Sequence, residues 1–287
     1  MSRDQDVLNW IEQADSAQQN KEFERAEQLY ERALRVLPGN EQALLGLGML
    51  YVATGRGPLS LRKLQRAQKD HPELPGPYRA IATLIRISGH VALGQQYFQG
   101  LLQDAPDSAY GPIHLGLAEI QASIGDSTGL KKSLSILREQ PLYEPLTQGM
   151  LHMEVGDAPG LRALAQRTEP GSLQDTLNGM SCEAGGDISG ASQHYFNASN
   201  HDDPTWFCLN ALAAMWLNNN NLNATAAYLK HAEEIAPNAS EVQITRARYL
   251  AAKGEWEEAR ALLRQIGDMV GNYTRVKTLA QNLARKV

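Results

Sequence analysis

Residues 26–40 read AEQLYERALRVLPGN, and the stretches 34 residues apart that follow, 60–74 (SLRKLQRAQKDHPEL) and 94–108 (GQQYFQGLLQDAPDS), keep the same layout. A small residue opens each (Ala26, Ser60, Gly94), a large apolar one follows (Tyr30, Leu64, Phe98), and a proline closes it (Pro38, Pro72, Pro106). Ala26, Tyr30, Ala33 and Leu37 fall at helical spacing. A proline just beyond them pushes its predecessor out of helical geometry and removes a backbone donor, so each stretch predicts a helix that stops at the same place.

Working outward, the first unit is 7–40 and the next two are 41–74 and 75–108, with Ala14, Gly48 and Ala82 at the eighth position. Gly116 keeps the phase, and units beginning near 172, 206 and 240 carry Gly179, Ala213 and Ala247 there. The small residue of the second helix recurs as Ala191, Thr225 and Ala259, and the large one as Tyr195, Leu229 and Leu263. Helices meeting at the lower end of the usual separation, about 8–10 Å, need such small facing residues. Gly55, Gly89, Gly186 and Gly254 share one position and predict a left-handed residue ending each first helix.

This pattern resembles the tetratricopeptide repeat, whose signature is met by Trp10, Leu47-Gly48, Tyr51, Ala26, Tyr30, Ala33 and Pro38 over roughly residues 7 to 267. The resemblance implies an all-α, right-handed α-solenoid of about eight helix-turn-helix units with a C-terminal capping helix. Its expected divisions are 1–142 with about four units, a degenerate, shortened unit or hinge at 143–171, further units at 172–267, and the cap at 268–287. Pro145, Gly149, Gly156, Pro159, Gly160 and Pro170 break up the irregular unit, while Val276, Leu279, Ala280, Leu283 and Val287 form one apolar stripe after the repeat.

Composition narrows the function. Apolar residues make up 43% and the net charge is -5, which argues against a chain built to grip nucleic acid. No apolar run reaches the roughly 20 residues of a membrane span, and none of signal-peptide length follows Met1, so no membrane insertion and a cytoplasmic location are expected. Cys182 and Cys208 lack metal-ligand spacing and read as small buried residues. No phosphate-binding glycine loop, HExxH, GxSxG or CxxC appears; the expectation is a non-catalytic chain with no cofactor and no metal. His201-Asp202-Asp203, followed by Pro204, reads as a loop and helix start.

The resemblance further implies that a peptide or a segment of another protein binds the concave face lined by first helices. Groove positions of the family correspond here to Leu45, Met49 and Val52, then Arg79, Thr83 and Arg86, then Tyr110, Ile113 and Leu117, with Met180, Asn210, Leu217 and Arg248 further along. Apolar anchors with isolated arginines suit a segment carrying apolar side chains and a few carboxylates. Receptors of chaperone tails in this family use Lys, Asn and Arg where this chain has Ile11, Asp15, Gly46, Gly76 and Ala80, which disfavours that specialisation. A second expectation is the substrate-recruiting front part of a larger glycosyltransferase or sulfotransferase, and a third a peptide sensor. The first 40 residues hold eight acidic and five basic side chains and precede the basic run Arg56, Arg62, Lys63, Arg66, Lys69, a polarity that allows head-to-tail self-association.

Overall fold

The computed structural model describes residues 3–269 and 272–287. Seventeen α-helices occur among them, and no strand does. They pair as hairpins: α1 (Arg3–Gln19) with α2 (Phe23–Val36), α3 (Glu41–Ala53) with α4 (Gly57–Asp70), α5 (Pro75–Ser88) with α6 (Val91–Leu101), and α7 (Asp107–Ile124) with α8 (Ser127–Arg138). The series continues with α9 (Pro145–Glu154) and α10 (Ala158–Gln166), α11 (Ser172–Ala184) and α12 (Ile188–Ser199), α13 (Trp206–Asn218) and α14 (Leu222–Ile235), α15 (Ser240–Ala252) and α16 (Trp256–Asp268). α17 (Thr274–Ala284) follows. The chain is an all-α solenoid whose compact units are Met1–Ile120 (unit 1) and Gln121–Val287 (unit 2), the division falling inside α7.

The small positions do what their spacing demands. Ala14, Ala82, Ala213 and Ala247 are fully buried, as are Ala26, Ser60, Ala191, Thr225 and Ala259. A Cβ on Gly48 would come within 2.5 Å of Leu64, one on Gly116 within 2.5 Å of Phe98, and one on Gly179 within 2.5 Å of Tyr195. The large residue of the second helix thus fills the notch left by the small residue of a first helix, which ties the two recurring positions into one seam. An inserted methyl has nowhere to go, so Gly179→Ala is expected to cost about 1–3 kcal/mol, read as a lowered urea midpoint. An unchanged midpoint would show that the seam is loose.

The turn after each first helix is equally regular. Gly55, Gly89, Gly186 and Gly254 have φ of 71, 76, 82 and 88°, as their spacing predicts. Lys21 and Asn220 hold the same place with φ of 61 and 57°. A side chain there carries strain that glycine avoids. Lys21→Gly is therefore expected to raise stability by about 0.5–1 kcal/mol despite the looser unfolded chain. Second helices of unit 2 start on a motif with its own logic: Asp126, Asp157 and Asp187 each accept the amide of the glycine three places on (Gly129, Gly160, Gly190) at 2.9 Å, and Asn221 accepts Ala224 N–H at 3.1 Å. These caps satisfy amides that helix ends leave without partners.

Residues 143–171 form the two shortest helices, α9 and α10, and their prolines start them: Pro145 and Pro159 lie in the first turn of each, where a missing N–H costs nothing. His152 of α9 contacts Asp157 at 2.9 Å, and burial holds its imidazole below the ordinary value of 6.5 against the opposing pull of Asp157. A base depressed on folding binds its proton more readily when unfolded, so this contribution is complete above 6.5 and falls as pH drops through that value. Stability is expected to decline from about pH 7 to about pH 5, and His152→Gln to flatten the decline. Denaturation midpoints measured across that range check both.

Candidate functional site

The first helices of unit 1 set side by side the groove residues that the family pattern implies. Leu45, Met49 and Val52 fall along one stripe of α3 and stay half-buried, while Ala43, Leu47 and Leu50 of the same helix are fully buried. α5 packs against α3, and the lack of a side chain on Gly76 admits Leu45 closely: a Cβ there would lie 2.8 Å from Leu45 Cδ1. Arg79, Thr83 and Arg86 follow on α5, all half-buried. The two arginines converge on Glu119 of α7, whose side chain is only 1% exposed: Arg79 Nε donates to Oε1 at 2.7 Å and an Arg86 guanidinium N–H to Oε2 at 2.6 Å. Short, charge-assisted bonds of this kind fix guanidinium orientation.

Further along, the burial pattern corrects the groove reading. Residues 111–123 of α7 are buried without a break, the polar His114, Glu119, Gln121 and Ser123 included. Ile113 and Leu117 therefore belong to the core with Ile81 and Phe98, and of the three residues of α7 expected in a groove only Tyr110, 38% exposed, meets solvent. Pro112 sits within α7 without ending it. In unit 2, Met180 is fully buried beside Leu177 and Tyr195, and Leu217 is buried as well. Asn210 and Arg248 line one cavity of about 290 Å³ among α13, α15 and α17. Asn210 Oδ1 is buried there with no hydrogen-bond partner among the described residues, and Arg248 donates to Asn218 Oδ1 at 2.5 Å.

α17 is more than an end cap. Its first residue comes 34 after that of α15, so it begins in phase as another first helix although the sequence after 268 reads as leaving the repeat. Val276 and Ala280 of the expected stripe are buried, whereas Leu279 is 45% exposed. It packs on α15 and α16, with Gln281 donating to the Gly267 carbonyl at 3.0 Å. At its start it also reaches the end of α7 and of α9: Thr274 Oγ1 and Lys277 Nζ donate to the Ser123 carbonyl at 3.2 and 3.3 Å, and Arg275 pairs with Glu154 at 3.3 Å. Unit 2 is closed across its first-helix face by its own last helix. Val270 and Gly271, within the expected cap, lie outside the described residues.

The groups weighed for chemistry are otherwise engaged. His201 Nε2 stands 3.1 Å from Asp175 Oδ2, and the described residues contain no group of three His, Cys, Asp or Glu that could hold a metal. Burial raises the Cys208 thiol above its ordinary value, which opposes thiolate chemistry. In the basic run, Arg56 pairs with Glu27 at 2.8 Å and lies over the Tyr51 ring, and Arg66 pairs with Asp70. No described helix is long and apolar enough to cross a membrane. Sequence reasoning missed Glu119, whose signal was one acid inside the short apolar run 115–120; it also missed the aspartate caps, whose signal was Asp with Gly three places on.

Tetratricopeptide-repeat models match residues 11–75 and 217–283. The Protein CTR9 homolog of Arabidopsis thaliana is 28% identical over 131 residues, 45% of this chain and 12% of that protein. Among solved structures, the Cut9-Hcn1 hetero-tetramer of the APC/C is similar at a TM-score of 0.49 and 16% identity, covering 91% of this chain and 52% of that one. A tetratricopeptide repeat protein from Parabacteroides merdae is similar at a TM-score of 0.45 and 12% identity, over 97% and 100% of the two chains. The chain thus spans 12% of that curated relative and about half of the first of these structures. With the 34-residue phase, the small-residue seams and the matches at both ends, the chain is a member of the tetratricopeptide-repeat family.

Proposed function

We propose that the chain is a non-catalytic scaffold that holds a segment of another protein against the first-helix face of unit 1. The observation that carries this reading is the stripe Leu45, Met49, Val52, left half-exposed on a helix whose Ala43, Leu44, Leu47, Leu50 and Tyr51 are buried. Exposed Leu8 and Tyr110, at the same repeat position on α1 and α7, extend that stripe with apolar surface. A partner side chain entering it gains burial worth about 25 cal/mol per Å² of apolar surface covered. Arg79 and Arg86, held in place by Glu119, present oriented N–H groups beside Thr83, so a segment with apolar anchors and a carboxylate is the matching chemistry.

Affinity capture from lysate, comparing the wild-type chain with Met49→Asp and Leu45→Asp, tests the surface. These residues are half-exposed, so both variants are expected to keep their helical circular dichroism while losing the captured partner at least tenfold, about 1.4 kcal/mol or more. Capture at the wild-type level by both folded variants would place the docking surface elsewhere.

A further inference from the structure

The first-helix face of unit 2 has an occupant already, and that occupant fits it poorly. α17 fully buries only Val276 and Ala280, and leaves Leu279 45% exposed. Beneath it remains a cavity of about 290 Å³, near the lower bound of ligand pockets, about 300 Å³. Two polar groups in that cavity are under-satisfied. Asn210 Oδ1 has no hydrogen-bond partner, and Arg248 forms no ion pair among the described residues although burial holds its guanidinium below its ordinary value. Buried polar groups in this condition ordinarily find partners. The start of α17 buries Tyr273 and Val276 and is tied by polar contacts to the Ser123 carbonyl and to Glu154. Burial raises the Glu154 carboxyl even with Arg275 beside it, so desolvation opposes that tether. A segment with few buried apolar contacts opens at lower cost than the hairpins it covers.

We propose that this face, built on α13 and α15, is a helix-binding groove which α17 fills in cis as a placeholder, and that its partner is an amphipathic helix presenting a bulkier apolar residue to the cavity and a carboxylate to Arg248. The chain's own helix shows the geometry that the face accepts, the cavity shows what it lacks, and the Arg248 guanidinium, bonded to Asn218 but without an ion pair among the described residues, sets the charge of what replaces it. This goes beyond the reading of unit 1, since it names a second surface and a competition that controls access to it.

The test uses the full chain with a reversible lock. A Cβ placed on Gly125 falls 3.8 Å from that of Thr274, within the roughly 3.5–4.5 Å that a disulfide spans. Gly125 has φ 75°, a geometry that strains cysteine, so the reading is the difference between oxidised and reduced forms of one protein carrying Gly125→Cys and Thr274→Cys. The probe is a labelled synthetic peptide of residues 272–287 with Val276→Phe and Leu283→Glu, both on the face that carries Leu279, followed by fluorescence anisotropy. Binding to the reduced form is expected at least tenfold tighter than to the oxidised form. In the otherwise wild-type chain, Arg248→Met is expected to weaken this probe at least fivefold but not the unmodified 272–287 peptide. Equal binding by the two redox forms, no binding by either, or indifference to Arg248→Met would overturn the proposal. Met49→Asp is expected to leave probe binding unchanged, so failure here and failure of the unit 1 surface are told apart.

Discussion

Tyr195→Ala is expected to lower the unfolding free energy by about 4 kcal/mol, the range for emptying a large aromatic site in a packed core. The ring is fully buried, rests on Gly179 and stands 6.2 Å from the ring of Phe207 in the next first helix. It therefore joins two hairpins, and its loss opens a void at the seam between them. Tyr195→Phe keeps the ring and loses only the hydroxyl bond to Glu183 at 2.8 Å, which leaves a half-buried carboxylate able to reach water. That change is expected to cost about 1 kcal/mol. Urea titration of both variants checks the contrast; equal losses would mean that the hydroxyl, and not the seam, holds this part of unit 2 together.

Glu119→Ala is expected to cost about 3 kcal/mol, because it leaves Arg79 and Arg86 facing a buried position without their carboxylate. Arg79 is 32% exposed and Arg86 16%, so part of each charge regains water and the loss stays at the lower end for a broken buried pair, about 3–5 kcal/mol. Adding Arg79→Met and Arg86→Met to Glu119→Ala is expected to recover most of the stability, since what the single change leaves behind is uncompensated charge. Urea midpoints of the two variants decide this: if the triple variant is no more stable than Glu119→Ala, the cost arises from lost packing around α7. The same triad orients the guanidinium groups that the proposed partner meets, so Glu119→Ala is also expected to weaken capture.

The hairpins were legible because their cause is local. Pro38, Pro72 and Pro106 stop helices by sterics that any context preserves, and Ala14, Gly48, Ala82 and Gly179 are small because a neighbouring helix leaves no room. α17 escaped that logic. At the place where the other units carry a small residue it has Gln281, which lies against Gly267 and bonds its carbonyl; here the glycine is on the second helix and the seam is reversed. The repeat positions expected to line a groove were legible as positions, but the exposure of their side chains was not. Ile113 and Leu117 share the repeat positions of half-exposed residues such as Met49, and only the burial of the whole segment 111–123 moves them into the core. The Arg79–Glu119 and Arg86–Glu119 pairs lie 40 and 33 residues apart in sequence, and no periodic pattern announces a contact made once.

Amide hydrogen exchange of the full chain, with and without the captured partner, tests the docking account most directly. Added protection is expected on α3 and α5, across Leu45–Val52 and Arg79–Arg86, with the second helices α4 and α6 unchanged. Protection confined to α4 and α6, or none on α3 and α5 at saturating partner, would contradict it.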